Sequence, residues 1–294
     1  MKQNMKKAIF FAVLSAALYA LNAPISKLLL RNAPPTMMAG FLYFGAGIGM
    51  GILSLIRSRT GQAKKEIRLT KKDLPCTLGM IVLDIAAPIF LMIGLKQTTA
   101  ANVSLLNNFE IVATSLIAML LFREKINRQL WIAILLITLS SALLTVEDAG
   151  AFRFSAGSLF VLLAATCWGL ENNCTRMLSR NDPLEIVVVK GLCSGSGSVI
   201  IGLAAGESFP ATRDILPILL LGFVAYGLSI YFYVYAQRDL GAAKTSAYYA
   251  IAPFIGVLLS LIIFREIPGI LFFIALGIMI LGIWLINSDC KRGK

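Results

Sequence analysis

Tyr19-Ala20-Leu21-Asn22, followed by Ser26-Lys27-Leu28-Leu29, returns 149 residues later as Trp168-Gly169-Leu170-Glu171, followed by Thr175-Arg176-Met177-Leu178. Pro34 falls on Pro183 at the same offset. Further along, Ala100-Ala101 returns as Ala242-Ala243 and Phe122-Arg123-Glu124 as Phe264-Arg265-Glu266, both 142 residues apart. The 294-residue chain therefore reads as one unit written twice, divided here as 1–149 and 150–294. Each copy is built mainly of long apolar runs. Hydrophobic residues make up 58% of the chain and charged residues 14%, against about 25% charged in an ordinary soluble domain. A mean hydropathy of +0.81 excludes both a water-soluble globule and a disordered chain, because disordered segments are poor in apolar residues.

A helix needs about 20 apolar residues to cross the hydrocarbon core. The runs predict spans near 8–30, 35–56, 74–95, 98–122, 128–147, 157–179, 183–206, 215–237, 240–264 and 267–287. They are too long and continuous for barrel strands. Lys6-Lys7 ahead of an apolar run resembles a secretory signal, but the run continues through Pro24 to Leu30 without a small-residue cleavage site. Each half thus carries five spans. Five is odd, so the second half must enter the membrane from the opposite side. The expected fold is an all-α integral membrane protein, ten transmembrane helices forming two inverted five-helix repeats around a central cavity.

Charge sets the orientation. With an inside N-terminus, inside segments hold 18 Lys and Arg and outside segments 5. Positive residues favour the cytoplasmic side, so both termini are expected there, in the cytoplasmic (inner) membrane. The net charge of +12 is explained by this bias, and a nucleic-acid partner is not expected. The 57–73 segment, rich in Lys and Arg, reads as a topology signal touching anionic lipid. No histidine is present, which excludes His metal sites and Ser-His-Asp triads. The five cysteines, Cys76, Cys167, Cys174, Cys193 and Cys290, form no C-x-x-C pair. No phosphate-binding loop is visible. The expectation is no cofactor, no metal and no enzyme activity.

The paired motifs resemble the EamA-type branch of the drug/metabolite transporter superfamily. The resemblance covers essentially the whole chain. It rests on Tyr19-Ala20-Leu21-Asn22 and Trp168-Gly169-Leu170, and on Ala252-Pro253-Phe254 ahead of Phe264-Arg265-Glu266. The first half departs from it, with Glu110-Ile111 where the second has Ala252-Pro253. The resemblance implies a ten-helix basket with a central cavity, and transport of small metabolites whose identity varies widely, from amino acids to quaternary amines and toxic cations.

Rise per residue then locates the charges. Asp84 lies about ten residues into span three, Glu110 about twelve into span four and Glu171 about fourteen into span six, all near the bilayer centre. A charge there costs roughly 2.5–3.5 kcal/mol on insertion scales and marks function by default. Lys190 in span seven lies at a depth that allows an ion pair with Glu171. That pair reads either as an architectural pin or as a substrate and proton site. Glu171 is the first candidate for contacting a substrate ammonium or a coupling proton, Glu110 the second and Asp84 the third. Asp84 has the alternative role of capping a helix break four residues before Pro88. Lys27 and Arg176, at matching repeat positions, read as snorkelling to the headgroups.

Tyr19 and Trp168 are repeat-equivalent and reach mid-membrane, and Tyr248 and Tyr249 lie eight and nine residues into span nine, opposite Leu106 and Asn107 of the first half. With Asn22, Asn107, Asn108, Asn172 and Asn173 they suggest an aromatic cavity bearing amide groups, suited to an ammonium by cation–π attraction. Tyr231, Phe232, Tyr233 and Tyr235 read as mostly interfacial or lipid-facing. Pro24, Pro88 and Pro253 are hinge candidates or fixed bends. Glycines in span two (Gly45, Gly47, Gly49, Gly51) and span seven (Gly191, Gly195, Gly197) allow close helix contact, within the chain or in a dimer. The expected activity is secondary transport by alternating access, most simply amino-acid export, with protons as coupling ion. Organic-cation, quaternary-amine or drug transport is the alternative. The partners expected are a small-molecule substrate and membrane lipid, with the protein a monomer or weak dimer.

Overall fold

The computed structural model describes residues 2–59, 66–98, 103, 106–107, 109–147, 156–264 and 270–292. Among them the chain is all helical, save one isolated bridge between Ile67 and Asn181. The helices are α1 (Lys2–Tyr19), α2 (Asn22–Leu29), α3 (Pro35–Arg59), α4 (Leu74–Gln97), α5 (Phe109–Leu120), α6 (Arg128–Glu147) and α7 (Ala156–Leu178). After these come α8 (Pro183–Ala204), α9 (Thr212–Leu221), α10 (Ser229–Leu240), α11 (Ala242–Tyr249), α12 (Ala252–Phe264) and α13 (Ile270–Arg292). A π-helical turn, Gly222–Leu228, joins α9 to α10 without a break. Among the described residues, five helical stretches, 5–29, 35–59, 71–97, 183–204 and 212–240, are long and apolar enough to cross a membrane.

The surface carries many large apolar side chains, while charged groups lie buried within a largely apolar core, unlike a soluble protein. Leu135, Ile200, Ile262, Phe273 and Trp284 are exposed, whereas Asp84, Glu110, Glu171 and Lys190 are buried. Only a hydrocarbon solvent makes that distribution favourable, since exposed apolar side chains then cost nothing and the charges must find partners within.

Helix contacts fall into matched sets. α3 packs along α8, α6 along α13, and α5 against α11. α4 packs on α7 as α10 packs on α1, and α5 on α7 as α11 on α1. Glycine makes the α3–α8 contact possible. A Cβ at Gly191 would lie 2.3 Å from the Gly47 nitrogen, and one at Gly40 would lie 3.2 Å from the Gly195 oxygen. Gly47 and Gly40 thus meet Gly191 and Gly195 inside one chain, whereas Gly49 faces Phe223 and Gly197 faces Ile85. Gly94 and Gly157 bring α4 and α7 equally close. Gly45 meets the Leu219 carbonyl, and Gly222 meets that of Leu42.

At the end of the bundle where α1 begins, residues 66–70 fold onto the turn before α8. Asp182 N–H donates to the Ile67 carbonyl (2.8 Å) and Asn181 Nδ2 to that of Arg68 (3.0 Å). Asp182 caps α8 by accepting from Leu184 N–H at 3.0 Å and pairs with Arg57. Arg238 bonds the Ser179 and Asn181 carbonyls and lies 3.3 Å from Glu66. The stretch read as a lipid-facing topology signal is thus, over 66–70, a docked strap. Its Glu66 lies 3.3 Å from Arg238, the Ile67 and Arg68 backbone carbonyls meet the 179–182 turn, and the Arg68 side chain stays exposed. Residues 60–65 of that stretch lie outside the described residues.

Candidate functional site: a buried charge cluster between helix breaks

Two helices are interrupted halfway. α1 stops at Tyr19 and α2 resumes at Asn22; α11 stops at Tyr249 and α12 resumes at Ala252. Proline explains both breaks. Pro24 has no N–H for the Ala20 carbonyl, and Pro253 none for that of Tyr249. Leu21 instead bonds the Leu18 carbonyl at 3.4 Å, and Ile251 that of Tyr248 at 3.4 Å. A third turn lies at Asn107, whose carbonyl accepts from Glu110 N–H at 3.0 Å as α5 begins. Asn107 corresponds to Tyr249 at the 142-residue offset. Pro88, by contrast, sits inside an unbroken α4. Its hinge role is not reproduced as a break, and Asp84 caps nothing there.

Asp84 has a different task. Lys190 Nζ lies 2.8 Å from Glu171 Oε1 and 3.1 Å from Asp84 Oδ2. The second contact is an ion pair outside hydrogen-bonding geometry. Tyr43 donates to Asp84 Oδ1 at 2.7 Å, and Thr175 donates to Glu171 Oε1. The Glu171–Lys190 pair expected from depth is present, with Asp84 added as a third member. All three are essentially sealed, at 0% (Asp84), 2% (Glu171) and 3% (Lys190) exposure. Glu110 stands apart at 8% exposure, accepting from Asn172 Nδ2 at 2.6 Å.

Two adjoining chambers meet at Glu110. The first is lined by Tyr19, Ala20, Asn22, Asn107, Glu110 and Tyr249 among others, so all three interruptions border it. The second is lined by Tyr43, Trp168, Glu171, Lys190, Tyr226 and Tyr233, and shares Tyr19, Glu110 and Tyr249 with the first. The centre of a water molecule can reach about 30 Å³ of the first and 50 Å³ of the second. Both exceed the roughly 10–15 Å³ that a single water needs. Tyr19 is the hub of the wall, with ring centroids 6.2 Å from Trp168, 5.9 Å from Tyr226 and 5.4 Å from Tyr249. Asn22 donates to the Tyr226 hydroxyl at 3.3 Å and accepts from Ser26 at 2.9 Å.

The structure gathers Glu171, Glu110, Lys190, Trp168, Tyr19, Asn22, Asn107 and Tyr249 at these chambers, with Asp84 behind Lys190. Tyr248 is not among the lining residues. It is buried among Ile111, Ala133 and Ala243, because its neighbour Tyr249 takes the chamber-facing position on α11. Asn108 lies outside the described residues, and of Pro253 the backbone alone is described. Tyr226, the span-eight tyrosine not assigned to the interface, lines the wall, and two tyrosines that the sequence did not single out as lining residues, Tyr43 and Tyr233, complete it. Tyr233 is not lipid-facing. Its hydroxyl shares a 2.6 Å hydrogen bond with Ser246 and its ring meets Tyr249. A helix has one inward position in three or four, and in the 231–235 cluster Tyr233 holds it. Lys27 does not snorkel outward either. Its ammonium donates to the Leu95 and Thr98 carbonyls at 2.6 and 2.5 Å, capping the C-terminus of α4, where a cation is favoured.

Known proteins resemble this chain in sequence and in fold. The sequence profile of the EamA-like transporter family matches residues 6–146 and 155–288. An uncharacterized transporter of Methanothermobacter thermautotrophicus (strain Delta H) is 26% identical over 297 residues, covering 96% of this chain and 87% of its own. The uncharacterized transporter YyaM of Bacillus subtilis (strain 168) is 20% identical over 182 residues, 57% of this chain and 58% of its own. A protein of known crystal structure superposes with a TM-score of 0.80 at 17% identity, over 97% of each chain. At that identity the likeness concerns the fold alone.

Proposed function

The chain belongs to the EamA-like transporter family, and on that footing we propose that it is a secondary transporter exporting a small amino acid, or a similar polar metabolite, in exchange for protons. The observation that carries this reading is the buried acidic and aromatic chamber at the junction of three helix interruptions. Interrupted helices beside a midplane site are a recurrent construction in secondary transporters, because they free backbone groups for ligands where lipid offers none. The proposed architecture is ten spans in two inverted halves, 1–149 and 150–294, lying in the cytoplasmic membrane with both termini inside. The matched packing of α4 on α7 and α10 on α1 supports it, as does the two-part match of the family profile. Working partners are substrate, lipid and protons, with the protein a monomer or weak dimer.

Six aromatic rings and three carboxylates against one lysine favour a cationic group on the cargo. That observation also supports an organic cation as the second reading. Chambers of this size must widen to admit either one. The test is counterflow in proteoliposomes: labelled amino acids and labelled quaternary amines outside, unlabelled excess inside, with and without a pH gradient. Saturable, trans-stimulated uptake driven by the gradient is expected. Linear, unstimulated flux would indicate a passive pore and remove the carrier reading.

A further inference from the structure

We infer that Glu110, rather than Glu171, is the group that exchanges a monovalent cation, holding a proton when the chamber is empty and the cargo's ammonium when it is filled. Glu171 and Asp84 already share Lys190, and both also receive a hydroxyl donor, from Thr175 and Tyr43. An incoming cation would have to displace an ammonium fixed at 2.8 Å. Glu110 faces no such competitor. Asn172 satisfies one of its carboxylate oxygens, and among the described residues no donor reaches the other.

Position adds three arguments. Glu110 borders both chambers, whereas Glu171 borders one and Asp84 neither. It lies in the first turn of α5, where the helix dipole favours a carboxylate. Asn107 Oδ1, one turn earlier on the wall of the first chamber, is buried and has no hydrogen-bond partner among the described residues. An acceptor without a donor beside a carboxylate without a cation, both among the described residues, suits a ligand that brings N–H groups and positive charge. A primary ammonium brings both. The aromatic faces of Tyr19 and Tyr249 border the same space. Since both cations need the same oxygen, their binding is mutually exclusive, which is the condition for one-for-one exchange.

The inference rests on the transport reading above, and the experiment separates the two. Wild-type protein in detergent is treated with dicyclohexylcarbodiimide at acidic and alkaline pH, and the modified carboxyl is located by peptide mass. The reagent reacts with a protonated carboxyl. The acid O–H adds across one C=N bond, and the acyl group then migrates to nitrogen, so the whole reagent mass stays attached as an N-acylurea. Label is expected on Glu110, greater at acidic pH and reduced several-fold by methylammonium chloride relative to equal sodium chloride. Glu171→Gln should keep that label, and Glu110→Asp should keep it at the shortened side chain. Label on Glu171 or Asp84, or none on Glu110, overturns the assignment. Label on Glu110 that methylammonium leaves untouched overturns the shared-site claim. Failed counterflow with labelling intact would refute transport alone.

Discussion

Lys190→Met removes the one ammonium that Asp84 and Glu171 share, and its consequences follow from the distances. At 2.8 and 3.1 Å, with an effective dielectric constant of about 20, each contact is worth roughly 5–6 kcal/mol before desolvation. Desolvation cancels much of this, so the intact cluster adds little net stability, whereas deleting one partner of a buried pair costs about 3–5 kcal/mol. The single variant should therefore unfold at a markedly lower denaturant concentration. Lys190→Met combined with Asp84→Asn and Glu171→Gln removes every charge while keeping the shapes, and should recover most of that loss. The assay is SDS-induced unfolding of purified protein, followed by tryptophan fluorescence. Trp168 is nearly buried against Tyr19 and reports on this region. If the single variant unfolds with the wild type, or the triple variant is as unstable as the single, the cluster is not the closed charge unit described.

Further outcomes follow from individual contacts. Gly191→Ala places a Cβ 2.3 Å from the Gly47 nitrogen, backbone against backbone, and should cost about 1–3 kcal/mol by overpacking. Gly51→Ala on the same stripe meets nothing within 4 Å and should leave the SDS midpoint unchanged. Lys27→Met strips two carbonyls at the end of α4 of their donor. It should raise amide hydrogen exchange over the last turn of α4, and a rate equal to wild type would contradict the capping role. Asp182→Ala removes both the α8 cap and the partner of Arg57. It should lower stability by about 1–2 kcal/mol, and limited proteolysis should cut faster within 66–70.

The membrane character, and part of the cluster that forms the candidate site, could be read from the sequence. Mean hydropathy and run length gave helices in lipid, and the Tyr19/Trp168 correspondence named two residues that meet edge to face. Depth alone paired Glu171 with Lys190. Depth is one coordinate, however, and a ligand pocket needs the angle around each helix axis as well. That is why Tyr248 was drawn inward with Tyr249, why Tyr233 was sent to lipid, and why Tyr43 passed unnoticed. Tyr43 did leave a signal, a phenol in the middle of an otherwise apolar span, where a hydroxyl must find a partner. Asp84 supplies it. Lys27 was misread because snorkelling and capping use the same long side chain, and only the position of the neighbouring helix end decides between them. The docking of residues 66–70 on 179–182 pairs segments more than 100 residues apart, which no local pattern encodes.

The bare seam where α3 and α8 touch has a mechanical corollary. Where Gly47 meets Gly191, main chain rests directly on main chain, with Leu192, Val199 and Phe44 as the side chains along the seam, so few rotamers need rearranging when one rod tilts on the other. Interlocked leucines would resist such tilting as gear teeth do; a smooth ridge on a smooth ridge behaves as a knife-edge bearing. Any swing of one half-molecule about that line would leave the fulcrum itself unaltered, and the work would fall on the tyrosines and charged groups beside it.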